Sequence, residues 1–329
     1  MPTAEPTAVV DPAAVADPVA IVDPVVLVDL GKTTCRVRVA DRSASGHGSA
    51  GLAEHDGLED AIAAITDALS GLDAPGPAPT ALAAFGGGVA IGAAGAATAP
   101  DRARELADRV ARASGGRVVV TSDVVTAHAG ALGGEPGTVL VAGTGAVAIG
   151  IDGSGRLRRA DGSGIWLGDD GSGRWIGQRG LRAALRAHDG RGRDTTLREA
   201  AAALAPTLDT LPGVVGGSAT PERTLAAFAP VVLSHAADGD AVAADIVERA
   251  VGHLVTTTGT VTPAGPARIV AVTGGLVADD WFAARLRQAL VDDGLEVLDP
   301  LGDALDGAAR ILDDPDLPHE RQVSRVDAP

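Results

Sequence analysis

The chain has 329 residues, a length that allows two domains of about 150 residues each. Its net charge of −16 and aromatic content of 2% exclude a nucleic-acid binder that relies on a basic surface or on base-stacking aromatics. The single cysteine, Cys35, excludes an intrachain disulfide framework, a cysteine-rich zinc site and a CxxC redox pair.

No membrane or export signal is evident. The first positively charged side chain is Lys32, so the N-terminus lacks the basic region of a signal peptide. The longest uncharged stretch, residues 81–100, consists mostly of Ala and Gly and is too weakly apolar for a transmembrane helix. We therefore expect a soluble cytoplasmic protein that binds neither membranes nor nucleic acids.

Both ends of the chain have the composition of disordered segments. Residues 1–24 contain five prolines and three Asp-Pro pairs, and each proline removes an amide donor and disfavours helix before it. Residues 313–329 are similarly acidic and proline-containing. We expect an acidic, proline-rich arm over 1–24 and a second disordered tail over 313–329.

Between these ends, short apolar runs alternate with helical patterns. The predicted strands are 25–29, 35–40, 80–85, 118–121, 138–142, 146–151, 269–273 and 295–298. The predicted helices are 58–69, one that starts at Pro100, 124–132, 175–187, 221–236, 241–257 and 280–291. This alternation predicts α/β layers. Because a strand–turn–strand unit occurs near residues 25 and 138, we expect two similar halves, 25–133 and 134–312, with a cleft between them.

Four glycine-containing turns follow predicted strands, at residues 29–34, 142–145, 162–173 and 273–275. Glycines let backbone amides approach phosphate oxygens, and threonine hydroxyls add donors. Any one of the four turns could contain glycine only because a tight turn requires it. The four turns together indicate phosphate binding. Neither common fingerprint is present: the glycine that a Walker A loop requires is replaced by Val26, and no GxGxxG follows the first strand.

These turns resemble the motifs of a known family: the N-acetylglucosamine kinases and the related activator ATPases of benzoyl-CoA reductase and hydroxyacyl-CoA dehydratases, within the actin and hexokinase superfamily. Residues 29–36 (DLGKTTCR) are similar to the first phosphate motif and 142–145 (AGTG) to the second. Residues 273–277 (TGGLV) are similar to the adenosine motif, and 167–173 (LGDDGSG) form the most distinctive block. The resemblance covers about residues 25–312.

The resemblance implies a two-domain actin-like ATPase of the ribonuclease H-like class, with an interdomain cleft that binds ATP and Mg²⁺. It implies an amino-sugar substrate and allows a homodimer. The implied phosphate and adenosine contacts are Gly31, Lys32, Thr33, Thr34, Gly143, Thr144, Gly145, Gly274 and Gly275. Asp29 would hold Mg²⁺ through water, Asp123 would be the catalytic base, and the sugar would contact Asp123, Asp169, Gly145 and Gly95.

Several of these residues have structural alternatives. Asp123 precedes a predicted helix and could be its N-cap, and Asp169 could be an ordinary loop carboxylate. Lys32 is the only lysine among 27 basic residues. A compact ammonium group at this one position indicates a point-charge contact to phosphate, with coincidence as the alternative.

The number of cysteines distinguishes the kinases of this family from its activator ATPases. The activator ATPases share an iron–sulfur cluster between two subunits, which requires two cysteines from each chain, and this chain has one. The loop at residues 46–51 lacks the sugar-binding asparagine common in the kinases, and residues 93–96 lack a serine. We expect a kinase that phosphorylates the 6-hydroxyl of N-acetylglucosamine or a related amino sugar. The alternatives are a non-catalytic sensor of ATP or sugar and an activator-type ATPase.

Overall fold

The computed structural model describes residues 25–72, 87–265 and 268–327, which fall into two units. Within these ranges, the first unit comprises 25–133, 302–315 and 322–327, and the second comprises 134–301 and 316–321. The predicted acidic arm over 1–24 and the predicted strand at 80–85 lie outside the described residues.

The first unit is built on a mixed sheet. Its strands are β1 (Val26–Leu30), β2 (Thr34–Val39), β3 (Arg42–His47), β4 (Val89–Ala93), β5 (Val118–Thr121) and β11 (Ser324–Val326), in the order β11-β5-β4-β1-β2-β3. The central strands β1, β4 and β5 are parallel. All three are buried almost throughout, which is typical of parallel strands covered on both faces.

Helices pack on this sheet through small and aliphatic side chains. They are α1 (Gly57–Ser70), α2 (Pro100–Ser114), α3 (Asp123–Ala131) and α12 (Ala304–Asp313), with a short 3-10 helix at Ala96–Thr98. Helix α1 buries Leu58, Ile65 and Leu69, a spacing that lies on one helical face. Helix α2 begins at Pro100 and is followed by Gly115, which is left-handed, and both features are favoured at these positions.

Helix α12 corrects the predicted boundary of the second half. We expected residues up to 312 to belong to that half, but α12 belongs to the first unit. A Cβ on Gly130 of α3 would lie 1.8 Å from the carbonyl oxygen of Asp303, and a Cβ on Gly307 would lie 1.9 Å from that of Thr126. Backbone-to-backbone contact therefore holds α12 against α3, and a local pattern of apolar residues cannot indicate such a contact.

The prediction of a disordered tail over 313–329 is wrong for the residues that the structure describes. Residues Pro318–Gln322 form a 3-10 helix, and β11 pairs antiparallel with β5. The Arg325 guanidinium donates to the carbonyl oxygens of Leu312 and Ile311 at 3.1 and 2.6 Å. A three-residue strand is too short to show alternation of apolar and polar residues. The disordered tail was therefore predicted from the acidic composition alone.

The second unit has its own sheet. Its strands are β6 (Gly137–Ala142), β7 (Ala146–Ile151), β8 (Leu157–Asp161), β9 (Ile269–Thr273) and β10 (Glu296–Leu298), in the order β10-β9-β6-β7-β8. Strands β6, β9 and β10 are parallel to one another, whereas β7 is antiparallel to both its neighbours. The carboxyl ends of β6 and β9 therefore meet at one edge of this sheet.

The helices of the second unit surround a core that includes Phe228 and Phe282. They are α4 (Gly164–Leu167), α5 (Gly173–His188), α6 (Leu197–Ala202), α7 (Leu211–Gly216), α8 (Pro221–Ala226), α9 (Ala229–Ala237), α10 (Ala241–Val261) and α11 (Asp280–Asp292), with 3-10 helices at Leu208–Thr210 and Gly275–Ala278. In the described ranges, no helix is both long and apolar enough to cross a membrane.

Asp303 links α12 to the strands of the first unit. Its carboxylate caps α12 by accepting from the amides of Leu305 and Asp306 and pairs with Arg36 at 2.9 Å and Arg38 at 3.3 Å. Burial acts to raise the pKa of Asp303. This effect is outweighed by hydrogen bonds and positive charges, so the pKa is lowered; the groups responsible are the Asp306 amide, Arg38, Arg36 and the Leu305 amide.

This network predicts a pH-dependent contribution to stability. Because the folded pKa lies below the unfolded value of about 3.9, the contribution is present above that value and is lost as the pH falls through the folded pKa. Asp303→Asn keeps a capping residue but removes the charge, so it should reduce the free energy of unfolding near neutral pH by about 1 kcal/mol. Denaturant unfolding at decreasing pH should show this difference shrinking below about pH 4. A difference independent of pH would contradict the charged network.

Candidate active site

The loop between β1 and β2 presents the predicted first phosphate motif. Lys32, Thr33 and Thr34 are exposed, and the Gly31 amide closes the turn by donating to the Thr34 carbonyl oxygen at 3.0 Å. The Gly48 amide donates to the Thr33 carbonyl oxygen at 3.0 Å. Hydrogen bonds from a neighbouring loop thus fix the backbone and leave these three side chains available to a ligand.

The strand register brings the other predicted residues of the first unit to the same edge. Asp29 pairs with Gly92, and Gly92 pairs with Thr121. Since these parallel strands end together, the phosphate loop, Gly95 and Asp123 all follow at one edge of the sheet. Gly95 has φ +82°, and a Cβ there would lie 2.9 Å from the Leu52 amide nitrogen, so backbone packing already requires this glycine.

Asp29 carries a partner that the sequence did not indicate. Its Oδ2 accepts from Arg36 Nε at 3.0 Å and Nη2 at 2.7 Å. Within the described residues, no group of three His, Cys, Asp or Glu side chains could hold a metal. Mg²⁺ in phosphoryl-transfer sites is bound mainly by phosphate oxygens and water with one or two carboxylates, so one carboxylate with a free Oδ1 among the described residues fits the predicted role.

Asp123 is not the N-cap of helix α3. It is the first helical residue, and Ser122 occupies the cap position. The half-buried Asp123 carboxylate accepts from the Val124 amide at 2.9 Å. The position lies at the strand end, where a base would be placed, and the carboxylate also satisfies one free amide of the first helical turn.

Two serines that the sequence analysis did not select lie beside these residues. Ser122 is adjacent to Asp123, and Ser49 donates its amide to the Gly31 carbonyl oxygen at 3.2 Å. Both hydroxyls are buried without a hydrogen-bond partner among the residues that the structure describes. Buried hydroxyls are ordinarily satisfied, so both are positions for a water or a ligand group. Neither serine belongs to a sequence motif that would have identified it.

In the second unit, the predicted second phosphate motif is the three-residue turn between β6 and β7. The Gly143 amide donates to the Gly145 carbonyl oxygen at 2.9 Å. The first amides of helix α5 hold this turn: Gly173 donates to Gly143 at 2.8 Å and Arg174 to Thr144 at 3.1 Å. The turn is therefore rigidly attached to a helix N-terminus.

The predicted adenosine motif lies against this turn. Gly274 has φ +107°, and a Cβ on it would lie 2.5 Å from the Ala142 carbonyl oxygen. A Cβ on Gly143 would lie 3.5 Å from the Gly275 amide nitrogen. The structure thus brings Gly143, Gly274 and Gly275 together at the shared edge of β6 and β9.

Asp169 also contacts the second phosphate turn. Its Oδ1 accepts from the Ala146 amide at 3.1 Å and would lie 2.9 Å from a Cβ on Gly145. Asp169 has φ +60°, an uncommon conformation for a non-glycine residue. Asp161, which the sequence analysis did not select, holds this loop by accepting from the amides of Asp169 and Asp170 at 2.6 and 2.8 Å.

The paired glycines of the adenosine motif give a prediction. Gly274→Ala should destabilise the second unit, since the backbone of Ala142 cannot yield and the φ is left-handed. A Cβ on Gly275 meets nothing within 4 Å, so Gly275→Ala should fold normally and lose affinity only if ATP contacts it. Thermal melts and ATP titration calorimetry measure both effects. Normal ATP binding by a folded Gly275→Ala variant would contradict its predicted contact.

Solved structures resemble the chain over most of its length. A candidate N-acetylglucosamine kinase from Chromobacterium violaceum is 26% identical with a TM-score of 0.65, covering 88% of this chain and 99% of that chain. One from Porphyromonas gingivalis is 19% identical with a TM-score of 0.63 and the same coverage. A candidate N-acetylmannosamine kinase from Listeria monocytogenes is 13% identical with a TM-score of 0.50, covering 88% and 98%.

These similarities confirm the predicted α/β fold of the actin-like ATPases. No curated protein matched the chain. A family model matches residues 26–309, which include both phosphate turns, Asp123, Asp169 and the adenosine motif. The chain belongs to the BadF/BadG/BcrA/BcrD ATPase family.

Proposed function

We propose that this protein is an ATP-dependent kinase that phosphorylates the 6-hydroxyl of N-acetylglucosamine or a related amino sugar. The observation that carries the proposal is the placement of an exposed Lys-Thr-Thr loop and Asp123 at the same edge of the first sheet. Membership of an ATPase family and similarity to a candidate N-acetylglucosamine kinase at 26% identity support it.

In the proposed reaction, Lys32, Thr33 and Thr34 bind the β- and γ-phosphates. The turn of Gly143, Thr144 and Gly145 forms the opposing phosphate cradle. The amides of Thr144 and Gly145 bind phosphate oxygens, since the Gly143 amide donates within the turn. Gly274 and Gly275 contact the adenosine. Asp29 would hold Mg²⁺ through water, and the ion would supply positive charge that neutralises the phosphates. These groups position the triphosphate and stabilise its charge, which is the main requirement of phosphoryl transfer.

Asp123 acts on the acceptor. Its carboxylate accepts the proton of the sugar hydroxyl while the hydroxyl oxygen forms a bond to the γ-phosphorus, and the bond from that phosphorus to ADP breaks. Asp169, Gly145 and Gly95 contact the sugar. The buried hydroxyls of Ser49 and Ser122 are further candidates for polar contacts that the missing asparagine would otherwise make.

The alternative of an activator ATPase with a shared iron–sulfur cluster is disfavoured by Cys35. This cysteine lies fully buried in β2, and burial together with Asp29 and Asp67 raises the pKa of its thiol to about 12. A cluster ligand must be a thiolate, and the chain has no second cysteine.

The proposal is tested by a coupled assay of ADP release with Mg²⁺ and ATP, across a panel of amino sugars and hexoses. We expect N-acetylglucosamine or another amino sugar to stimulate release well above the rate without sugar. ATP binding without stimulation by any sugar would contradict the proposal and favour a sensor.

A further inference from the structure

A cluster of arginines in the second unit is separate from all the residues discussed so far. Helices α5 and α10 and residues 192–193 line a cavity of about 350 Å³, a size typical of small-ligand sites. Its charged lining consists of Arg179, Arg182, Arg186, Arg193, Arg249 and Asp245. Five guanidinium groups thus face one carboxylate in a chain whose net charge is −16.

The arginines repel one another and have few compensating partners. The Asp245 carboxylate is engaged by Arg193. Among the residues that the structure describes, Arg182 and Arg249 have no hydrogen-bond or ion-pair partner. The pKa of Arg179 is lowered by burial and by the positive charges of Arg182, Arg249 and Arg174. The negative charge of Asp170 acts in the opposite direction. Such a concentration of positive charge is unfavourable unless an anion offsets it.

Trp175 holds two of these arginines in place. Its buried ring lies 5.0 Å from the guanidinium carbon of Arg179 and 5.8 Å from that of Arg249. Cation–π contact orients a guanidinium group without using its N–H donors. The Nε of Arg179 is buried and has no hydrogen-bond partner among the described residues. The site therefore offers oriented donors to a ligand that supplies acceptors.

The position on helix α5 separates this cavity from the phosphate turn. Gly173, whose amide holds Gly143, precedes Arg179 by six residues and Arg186 by thirteen. At 1.5 Å per residue, the arginines lie about 9 to 20 Å along the helix from the turn. Helix α5 nevertheless contacts the phosphate turn at its N-terminus and lines the arginine cavity further along.

We propose that this cavity binds a small molecule with a phosphoryl group, either as an inorganic phosphate species or as a phosphate monoester. Guanidinium groups match phosphate oxygens through bidentate, charge-assisted hydrogen bonds. A concave site lined by five such groups favours a compact anion with two or more charges. This inference does not depend on the proposed kinase activity.

The experiment is titration calorimetry without ATP or sugar, with pyrophosphate as the inorganic probe and glucose 6-phosphate as the ester probe. The variant is Arg182→Gln/Arg249→Gln, which changes two exposed side chains. Arg112→Gln, an exposed helical arginine of the first unit, is the matched control, and Lys32→Ala separates this site from the first phosphate loop.

We expect at least one probe to bind the unaltered protein, Arg112→Gln and Lys32→Ala, and to bind the double variant about tenfold or more weakly. The same probe should raise the melting temperature of all but the double variant. The tighter of the two probes identifies the source of the phosphoryl group. Absence of binding, or equal binding by the double variant, would overturn the proposal, and loss of binding in Lys32→Ala alone would assign the anion to the phosphate loop.

Discussion

Asp123→Asn should lower kcat for sugar phosphorylation by about 10²- to 10⁴-fold, the usual contribution of a general base. Asn caps and begins helices about as well as Asp, so helix α3 should remain intact. The side chain of Asn cannot accept the hydroxyl proton as a carboxylate does. ATP affinity should change little, because the proposed contacts of the triphosphate are made by other residues. Steady-state kinetics and ATP titration calorimetry measure the two effects.

The matched control is Asp101→Asn. Asp101 is an exposed residue in the first turn of helix α2 in the same unit, so the change in charge and the position in a helix are similar. We expect Asp101→Asn to retain nearly normal kcat. If Asp123→Asn also retained nearly normal kcat, Asp123 would not be the base.

Gly307→Ala should destabilise the protein by about 3 kcal/mol or more, because the added Cβ overpacks a contact with no room to relax. It would lie 1.9 Å from the Thr126 carbonyl oxygen and 2.4 Å from the Gly130 amide nitrogen. Both atoms belong to the backbone of helix α3, so α12 would have to move away. For a unit of this size, the melting temperature should fall by roughly 6 to 12 °C.

Gly252→Ala is the control for this substitution. Gly252 is exposed in the interior of helix α10, and a Cβ there meets nothing within 4 Å. Ala is favoured over Gly in such a position, so this variant should be stabilised by about 0.5 to 1 kcal/mol. An unchanged melting temperature for Gly307→Ala would show that the two helices are not in backbone contact.

The strands with continuous apolar runs could be predicted from the sequence. Residues 146–151 and 269–273 were predicted as strands and coincide with β7 and β9, and the α/β class follows from their alternation with helices. Strands β3, β4 and β8 were missed, as was β11 in the tail that was expected to be disordered. Strand β3 is mostly polar and β8 carries two arginines, so neither shows the pattern of a half-buried strand. Strand β4 lies in the Ala- and Gly-rich stretch 81–100, where apolar residues do not mark the bounds of a strand.

The predicted site residues were found through glycine turns and family motifs, and their roles stay predictions. What the sequence could not supply is contact between distant segments. Three features of the site arise from tertiary packing. Arg36 pairs with Asp29 and Asp303, and Asp161 accepts from the amide of Asp169. The hydroxyls of Ser49 and Ser122 are buried. No local spacing or periodicity carries this information.

The most direct test is phosphorus NMR of the products formed from ATP, Mg²⁺ and N-acetylglucosamine. The account predicts a phosphate monoester on the 6-hydroxyl, formed in equal amount to ADP, with little inorganic phosphate. Release of inorganic phosphate alone, with no phosphorylated sugar from any member of the panel, would contradict it.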